Sequence, residues 1–510
     1  MHKRKIIVCF FLLATFVSSA KAAEAIPAAQ LARQQANSGE WQKAIESYNT
    51  GLIDKPNDAI CLARRGYAYA RIGNYKQAFS DFTEAINCDS SCPDAYSRRS
   101  RVYAWLGLNQ LAKQDAHKFF ELTTTVPTEP DLLLEHAGLL SIIERREEAD
   151  EESKQVLALS KKGNEVSSLL NAAGAYYNLH QYRDSVYCLS KAINISPNCA
   201  YLHFLCGGTY AASNQFTLAI SELNLYIKHN PQHPLVFNER GLCYYFQGNY
   251  AEAVKDYNQA IKLAPNLASA FARRGLSQHQ LDRYKMAIDD FSSAISLESN
   301  DSFSYVERAH NYCHESEPEK ALRDTQKAIL LDPKYSKAYA TQAWAKEQLG
   351  SVKEALEDYD KAAVLAPQDS DIYYGRAMCY RSHKEYKKAI ANFTEAIKHD
   401  PKNAVTFCAR GSALASDHQY EKAIADCTQS LKLNPTRTHP HLSRGIAYAK
   451  LGNYKLALQD LNEAIKQVPS YGEAYFERSL VNKSIGKIFQ SKNDMAKAKA
   501  FGYQSPEAMR

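Results

Sequence analysis

The sequence predicts an all-α protein in which one pair of helices is used many times. Glycine and proline are scarce, with 21 and 17 copies among 510 residues, whereas tyrosine is abundant with 33 copies. Small, aromatic and proline residues also recur in a fixed order every 34 residues. A constant period of this length is typical of solenoids, whose units bury their apolar faces against their neighbours.

The block 234–267 illustrates the repeating pattern. It has aromatic residues at positions 4, 11, 17 and 24, small residues at positions 8, 20 and 27, and a proline at position 32. These residues are Phe237, Tyr244, Tyr250, Tyr257, Gly241, Ala253, Ala260 and Pro265. Alternating small and large residues let two helices interdigitate closely. The proline ends the second helix because it lacks the amide proton that the helical hydrogen bond needs.

Nine steps of 34 residues lead from 166 to 472 without an insertion. The order of residues resembles the tetratricopeptide-repeat (TPR) family, and the resemblance covers about residues 25–505. It implies an α-solenoid, a right-handed TPR superhelix of about 13 helix-turn-helix repeats plus a C-terminal capping repeat. Members of this family generally bind extended or helical peptides on the concave face. The resemblance therefore implies a non-enzymatic scaffold whose partners are proteins or peptides.

The predicted organisation has six segments. They are a signal peptide at 1–22, repeats at 23–126, a degenerate repeat with a phase slip at 127–165, repeats at 166–471, a capping repeat at 472–505 and a tail at 506–510. In the degenerate repeat only Ala137 and Ala149 match small positions, which indicates either a longer loop or a bend that serves as a docking site. In the last repeat Ser491 and Asp494 replace core residues, which favours a solvating second helix at the end of the solenoid.

The first 22 residues have the features of an export signal. Lys3, Arg4 and Lys5 precede a run of twelve mostly apolar residues, and Ala20 and Ala22 supply the small-x-small pattern of a signal peptidase site. Twelve residues are few for a bilayer span, so cleavage is favoured over a retained anchor. We expect a periplasmic or extracellular protein if the source is bacterial, with no stable membrane insertion after cleavage.

The net charge gives no support for nucleic-acid binding, and the cysteine content does not decide whether a disulfide forms. Of the 62 basic residues four lie in 1–22, which leaves 58 against 56 acidic residues and no electrostatic case for nucleic acid. Loss of Cys9 leaves eleven cysteines, an odd number for a disulfide framework. Cys88 and Cys92 are the closest pair, and either a bridge or two free thiols fits their spacing.

Arginine and aspartate recur at positions 7 and 23 of the repeat. Seven repeats have both residues, which indicates that the two groups pair across the helices. The pairs are Arg65–Asp81, Arg99–Asp115, Arg240–Asp256, Arg274–Asp290, Arg308–Asp324, Arg410–Asp426 and Arg444–Asp460. A structural ion pair explains this recurrence better than a binding role.

No motif in the sequence predicts catalysis or a cofactor. A phosphate-binding glycine loop, a nucleophile elbow and a zinc-protease helix are all missing from it. The best candidate for a metal is the group His310, Cys313 and His314, because histidines four apart share one face of a helix. The competing interpretation is that these are ordinary polar residues of a groove, since neighbouring first helices are expected to be too far apart to share a metal.

The concave surface is the predicted binding site. If positions 4, 8 and 11 are buried, positions 2, 6, 9 and 13 face away from the core. The rings at Tyr177 and Tyr245 lie two repeats apart, with the small residue Ala211 between them. The predicted peptide-binding residues are Tyr177, Tyr201, Phe204, Tyr245 and Phe246 within 166–267, with Trp344 and Tyr374 as a second anchor. The alternative is that these rings fill seams between helices. A carbohydrate or envelope-polymer binder is the second function that the sequence leaves open.

Overall fold

The computed structural model describes residues 28–37, 41–123, 125–160 and 165–503. These residues form 28 helices and no strand, which confirms the all-helical prediction. The chain divides into two compact units, 1–311 and 312–510. The predicted signal at 1–22 and tail at 506–510 lie outside the described residues.

The helices that begin in the first unit are α1 (Ala28–Asn37), α2 (Trp41–Asp54), α3 (Ala59–Arg71), α4 (Tyr75–Cys88), α5 (Pro93–Trp105), α6 (Asn109–Leu122), α7 (Pro130–Ile142), α8 (Arg146–Ser160), α9 (Val166–Asn178), α10 (Tyr182–Ile195), α11 (Ala200–Ala212), α12 (Phe216–His229), α13 (Pro234–Phe246), α14 (Tyr250–Leu263), α15 (Ala268–Gln280), α16 (Tyr284–Leu297) and α17 (Ser302–His314), within which the first unit ends. Those of the second unit are α18 (Pro318–Leu331), α19 (Ser336–Gln348), α20 (Val352–Leu365), α21 (Ser370–Ser382), α22 (Tyr386–His399), α23 (Ala404–Ser416), α24 (Tyr420–Leu433), α25 (Thr438–Lys450), α26 (Tyr454–Gln467), α27 (Gly472–Ser484) and α28 (Ile488–Ala500).

The two helices of a repeat approach closely where the sequence has its small residue at position 8. A methyl group added to Gly241 would lie 2.8 Å from the ring of Tyr257, and one added to Gly275 would lie 3.0 Å from the ring of Phe291. Both rings occupy position 24 and are fully buried. In these two repeats the close approach of the ring favours glycine, whereas the repeats with Tyr359 and Phe393 accommodate Ala343 and Ala377 at position 8.

The degenerate repeat forms a regular helix pair, α7 and α8. Its first helix begins at Pro130, 37 residues after the start of α5 and 36 before the start of α9, so the extra residues lie on both sides of the pair. In this frame His136 and Glu152 occupy positions 7 and 23. Both are buried, and His136 Nδ1 lies 2.9 Å from the Glu152 carboxylate. The histidine and glutamate thus take the place of the arginine and aspartate of other repeats.

The last repeat follows the same rule, which corrects the sequence prediction. Ser491 is buried at position 20, and Asp494 is only 4% exposed at position 23. Asp494 accepts hydrogen bonds from the Arg478 guanidinium at 2.6 and 2.9 Å. These two residues are therefore part of the core of α27 and α28, and the interpretation of them as solvating residues is wrong.

Within the first unit the early repeats contact later ones. The turn after α3 touches the start of α13, since a methyl group on Gly73 would lie 2.8 Å from Pro234. The amide of Gln110 at the start of α6 donates to Glu298, which follows α16, at 3.3 Å. The second and third repeats of the chain therefore pack against segments about 160 to 190 residues further along it.

Candidate functional site

Two of the three rings predicted to face the groove are buried. Tyr177 is 5% exposed and Phe204 is 3% exposed, so the expectation that both present ring surface is wrong. Phe204 packs against Tyr226 and His233, with ring centroids 5.1 and 5.5 Å away. Ala211, the small residue between the predicted anchors, is also buried. Tyr177 and Phe204 are core residues and cannot anchor a ligand.

The remaining predicted rings of the first unit are half-buried among other aromatic residues. Tyr245 lies 5.4 Å from Tyr250 and 5.6 Å from Phe246, and burial raises its pKa to about 12. Phe246 stacks on Phe216 at 5.2 Å. Tyr201 and Phe204 stack with centroids 6.5 Å apart. These contacts favour the seam-filling interpretation over an open notch.

A buried arginine explains why Tyr201 does not face an open groove. The guanidinium of Arg71, at the end of α3, lies 4.2 Å from the ring centroid of Tyr201 and 4.6 Å from that of Trp41. The rings of Tyr67 and Trp105 lie at 5.9 and 5.8 Å. We call these five residues the arginine cage. A cation enclosed by aromatic faces is attracted by their quadrupoles, most strongly where water is excluded.

Arg71 lies in a buried environment, where the pKa values of neighbouring titratable groups are shifted as in a protein core. Arg71 is only 5% exposed. Burial, together with the nearby charge of Arg71, lowers the pKa of His233 to about 3, so this imidazole is neutral at physiological pH. Burial also raises the pKa of Tyr201 above its ordinary value, against the opposing charge of Arg71. Two further guanidiniums, those of Arg101 and Arg98, lie 4.9 and 5.2 Å from the ring centroid of Tyr67.

A departure from the repeat pattern marks this region in the sequence. Tyr226 occupies position 27, where the next repeats have Ala260 and Ala294. A large ring at a position that is otherwise small needs space that the ordinary repeat does not provide. Tyr226 is buried and packs against Phe204 and His233. The tyrosine at position 27 is the feature of the sequence that could have shown that this part of the inner surface is buried.

The predicted ion pairs form across the two helices of a repeat. In six of these pairs the arginine makes at least two hydrogen bonds to the aspartate carboxylate, which is buried. The closest distances are 2.8 Å for Arg65–Asp81, 2.6 Å for Arg99–Asp115, 2.6 Å for Arg240–Asp256, 2.5 Å for Arg274–Asp290, 2.6 Å for Arg410–Asp426 and 2.8 Å for Arg444–Asp460. Such paired geometry adds orientation as well as energy. Arg308 donates to Ser292 at 2.9 Å.

Six of these arginines also donate to the residue 16 positions earlier, in the repeat before their own. Arg240 donates to Asn224 at 2.6 Å and Arg444 donates to Thr428 at 3.0 Å, and both acceptors lie 16 residues earlier in the chain. Arg376 makes the same two contacts, but with Asn392 at 2.7 Å in its own repeat and with Asp360 in the preceding one. The arginine at position 7 therefore links neighbouring repeats, which gives it a structural role.

Of the predicted metal ligands on α17, the cysteine lies in the core. Cys313 is buried, and burial raises the pKa of its thiol to about 12. His310 packs against His279 with centroids 5.3 Å apart, whereas His314 packs against Trp344 at 5.0 Å. Cys313 is thus a buried thiol, and its grouping with the two histidines as metal ligands stays a prediction. All eleven cysteines among the described residues are free, including Cys88 and Cys92.

The inner surface of the second unit leaves apolar side chains partly open. Position 9, which the repeat pattern turns away from the core, is occupied by Trp344, Met378 and Ile446, all half-buried, and by Leu480, which is exposed. Tyr374, at position 5, is half-buried against Phe393 at 5.7 Å. We call these five residues with inward positions (Trp344, Tyr374, Met378, Ile446 and Leu480) the apolar strip.

A pocket lies at the start of α25, close enough to Tyr374 for the charge of Arg437 to act on that side chain. It is lined by Arg437, Thr438, His439, Val468 and Tyr471. The Tyr471 hydroxyl lies 3.1 Å from His439 Nδ1. The Nε atom of Arg437 is buried and has no hydrogen-bond partner among the described residues. A buried donor without an acceptor is costly, so an incoming carbonyl or carboxylate oxygen would relieve that cost.

Charge is unevenly distributed along this inner surface. Burial raises the pKa of Tyr374, and the positive charges of Arg381 and Arg437 oppose that shift. At the other end, burial and the neighbouring Glu473 raise the pKa of Glu477 to about 7. The surface therefore has a basic end near α21 and a carboxyl-rich end on α27, a polarity that can set the direction of a bound chain.

Models of the tetratricopeptide repeat match residues 234–267 and 370–403, and a second model of the same repeat matches 29–95, 408–472 and 442–482. The chain is a tetratricopeptide-repeat protein. The matches fall in both units and at the intervals of the 34-residue pattern. Among the described residues, no helix of this TPR protein is long and apolar enough to cross a membrane.

Curated relatives share the repeat with this TPR protein. It is 26% identical over 176 residues to RNA polymerase II-associated protein 3 of Xenopus tropicalis, a match that covers 32% of the chain and 27% of that relative. It is 45% identical over 53 residues, 10% of the chain, to the peptidyl-prolyl cis-trans isomerase PASTICCINO1 of Arabidopsis thaliana, and spans 8% of it. The chain thus spans at most about a quarter of the length of these relatives.

Among solved structures, the fold is similar to that in the crystal structure of the APC/C hetero-tetramer Cut9-Hcn1. The TM-score is 0.44 at 15% identity, with 89% of this chain and 95% of that chain covered. The repeat fold is typical of proteins that act as scaffolds for other proteins.

Proposed function

We propose that this chain is a non-enzymatic scaffold that binds an extended protein segment along the inner surface of its second unit. The observation that carries the proposal is the pocket of Arg437, His439 and Tyr471, close to Tyr374 of the apolar strip. Apolar side chains that are partly open can accept the side chains of a partner. The buried Nε–H of Arg437 can donate a hydrogen bond to a backbone or carboxylate oxygen of the same partner.

The energetics suit a moderate affinity. Burying one aromatic or aliphatic side chain contributes roughly 1.5–3 kcal/mol, so two or three contacts along the apolar strip suffice for micromolar binding. A flexible segment loses conformational entropy when it binds, and this loss keeps the interaction reversible. Export of the chain, based on residues 1–22, remains part of the proposal, and it places the partner outside the cytosol.

A peptide library displayed on phage, selected against the full chain, tests the proposal. Enriched peptides should lose affinity at least about tenfold for Tyr374→Ala and for Arg437→Ala, since each variant removes a group that the peptide would bury. The matched control is Phe489→Ala, which removes a ring that is 80% exposed on α28, away from the apolar strip.

Peptides that bind all variants equally would place the binding site elsewhere and contradict the proposal. Retention of an envelope polysaccharide by the chain, with no peptide enriched, would instead support a carbohydrate-binding function.

A further inference from the structure

Three side chains with different ligand chemistry lie together in the second unit. Glu347 is in α19, Cys379 is in α21, and His383 directly follows α21. A carboxylate oxygen, the Sγ atom and an imidazole nitrogen from these residues all lie within 4.8 Å of one another. The expectation that neighbouring first helices are too far apart to share a metal is therefore wrong for α19 and α21.

The hydrogen bonds around the three residues orient them towards one point. His383 Nδ1 lies 2.9 Å from the carbonyl oxygen of Cys379, to which its N–H donates, so Nε2 keeps its lone pair. A histidine that binds a metal commonly donates its other ring nitrogen to a carbonyl in this way. Ser382 Oγ lies 2.9 Å from both Glu347 Oε1 and the carbonyl oxygen of Cys379, and either oxygen can accept its proton. The same hydroxyl oxygen lies 3.1 Å from His383 Nδ1.

The spacing is close to that of a tetrahedral site. Sulfur and nitrogen ligands bind Zn²⁺ at about 2.0–2.3 Å, which places neighbouring ligand atoms roughly 3.3–3.8 Å apart. An upper separation of 4.8 Å thus needs a closure of the order of 1 Å. His383 is exposed and Glu347 half-buried, so both side chains can move, whereas Cys379 is 0% exposed and held in place.

We propose that Glu347, Cys379 and His383 bind a zinc ion, with the fourth coordination position open to solvent at the edge of the inner surface. A thiolate, an imidazole and a carboxylate together suit a borderline-soft divalent ion such as Zn²⁺ better than Mg²⁺ or Ca²⁺. Burial, together with the carboxylates of Glu347 and Glu385, raises the pKa of the Cys379 thiol to about 12. The metal-free site therefore holds a neutral thiol, and zinc binding releases its proton.

Titration of the reduced, chelator-free full chain with Co²⁺ tests the proposal, because Co²⁺ substitutes for Zn²⁺ and reports its ligands in its spectrum. We expect a thiolate-to-metal band in the near ultraviolet together with the visible bands of tetrahedral Co²⁺. Cys379→Ser should abolish the thiolate band, and His383→Ala should weaken binding by about tenfold or more. Cys408→Ser is the matched control, since Cys408 is another buried free thiol of the same unit.

A thiolate band that survives Cys379→Ser would overturn the proposal, as would Co²⁺ binding without any thiolate band. If Cys379→Ser fails to fold, His383→Ala decides, because His383 is exposed and its loss leaves the core intact. Zn²⁺ should raise the melting temperature of the wild-type chain and not that of His383→Ala. Equal affinity and equal spectra for wild type and His383→Ala would show that the three residues are not a site.

Discussion

The two units are built from the same helix pair but differ in what covers their inward-facing side chains. In the first unit Tyr67, Arg71 and Trp105 are buried, and Trp41 and Tyr201 close over the guanidinium. In the second unit the residues of the apolar strip stay half-buried or exposed. A ring on the inner surface of a solenoid can therefore serve either the core or a ligand, and its position in the repeat does not decide which.

The difference has an energetic basis. Aromatic rings bury 150–250 Å² each, and a desolvated cation over such rings contributes about 2 kcal/mol more. In the first unit these contacts within the arginine cage stabilise the packing of early repeats against later ones. The side chains of the apolar strip are still partly open, so a partner that buries them would gain the same kind of stabilisation.

The largest predicted effect is a loss of stability around the buried ring of Phe204. Phe204→Ala should lower the free energy of local unfolding of α11 and α12 by about 3–5 kcal/mol, because the ring is buried against Tyr226 and His233 and the cavity cannot collapse easily. Native-state hydrogen exchange of the amides of these helices measures the change. A loss below about 1 kcal/mol would mean that Phe204 is not part of a packed core.

The second prediction concerns the contact between Gln110 and Glu298. Burial and the nearby Asp301 raise the pKa of Glu298 from 4.5 to about 7. Between these values the unfolded chain loses its proton while the folded chain keeps it, so the free energy of unfolding falls as pH rises from 4.5 to 7. The expected loss is about 2–3 kcal/mol in the exchange of α6 and α16 amides.

Glu298→Gln is the control for this contact, since it keeps a neutral polar group of the same size. The pH dependence of local exchange should be much flatter in this variant. An unchanged pH profile would assign the effect to another carboxyl group.

The third prediction tests a feature that both units share. Asp81→Asn and Asp426→Asn should each cost about 1–2 kcal/mol, because a neutral amide still accepts a hydrogen bond from the arginine but loses the charge. The chain already contains this arrangement where Arg376 donates to Asn392 at 2.7 Å. Denaturant titration of each variant measures the cost. A difference of several kcal/mol between the two variants would show that the pairs are not equivalent.

The smallest predicted effect on stability is at the apolar strip. Tyr374→Ala should cost no more than about 1 kcal/mol, since its ring is half-buried and makes its main ring contact with Phe393. The same variant should lose peptide affinity, as proposed above. Thermal melting and peptide binding are measured on the same preparation. Early melting with unchanged binding by the folded protein would show that this ring belongs to the core.

Much of the repeat was predictable because its residues act within one pair of helices. The small residue at position 8, the ring at position 24 and the pairing of Arg240 with Asp256 all follow from local spacing. The pairing of His136 with Glu152 was missed because the frame of that repeat begins at Pro130 and not at 127. Once the frame is set, the interval of 16 residues reveals the pair.

The candidate sites were less predictable because they depend on residues far apart in the chain. Tyr201 occupies a position that a helical period turns outwards, and Tyr177 and Phe204 occupy positions 12 and 5 beside that face. All three are nevertheless buried or packed against neighbouring rings. Only a contact such as that of Arg71 with Tyr201, 130 positions later, shows this. The second anchor at Trp344 and Tyr374 stays a prediction, and both side chains are half-buried.

The sequence by itself determined the helical class, the repeat and the ion pairs that link neighbouring repeats, since these depend on contacts at separations of at most about 34 residues. Only the tertiary structure decided which inward-facing rings are covered, and it brought Glu347, Cys379 and His383 within reach of one ion. The physical reason is that the burial of an inward-facing ring depends on how each repeat is rotated against the next. Small rotations accumulate over several repeats, and no single repeat encodes their sum.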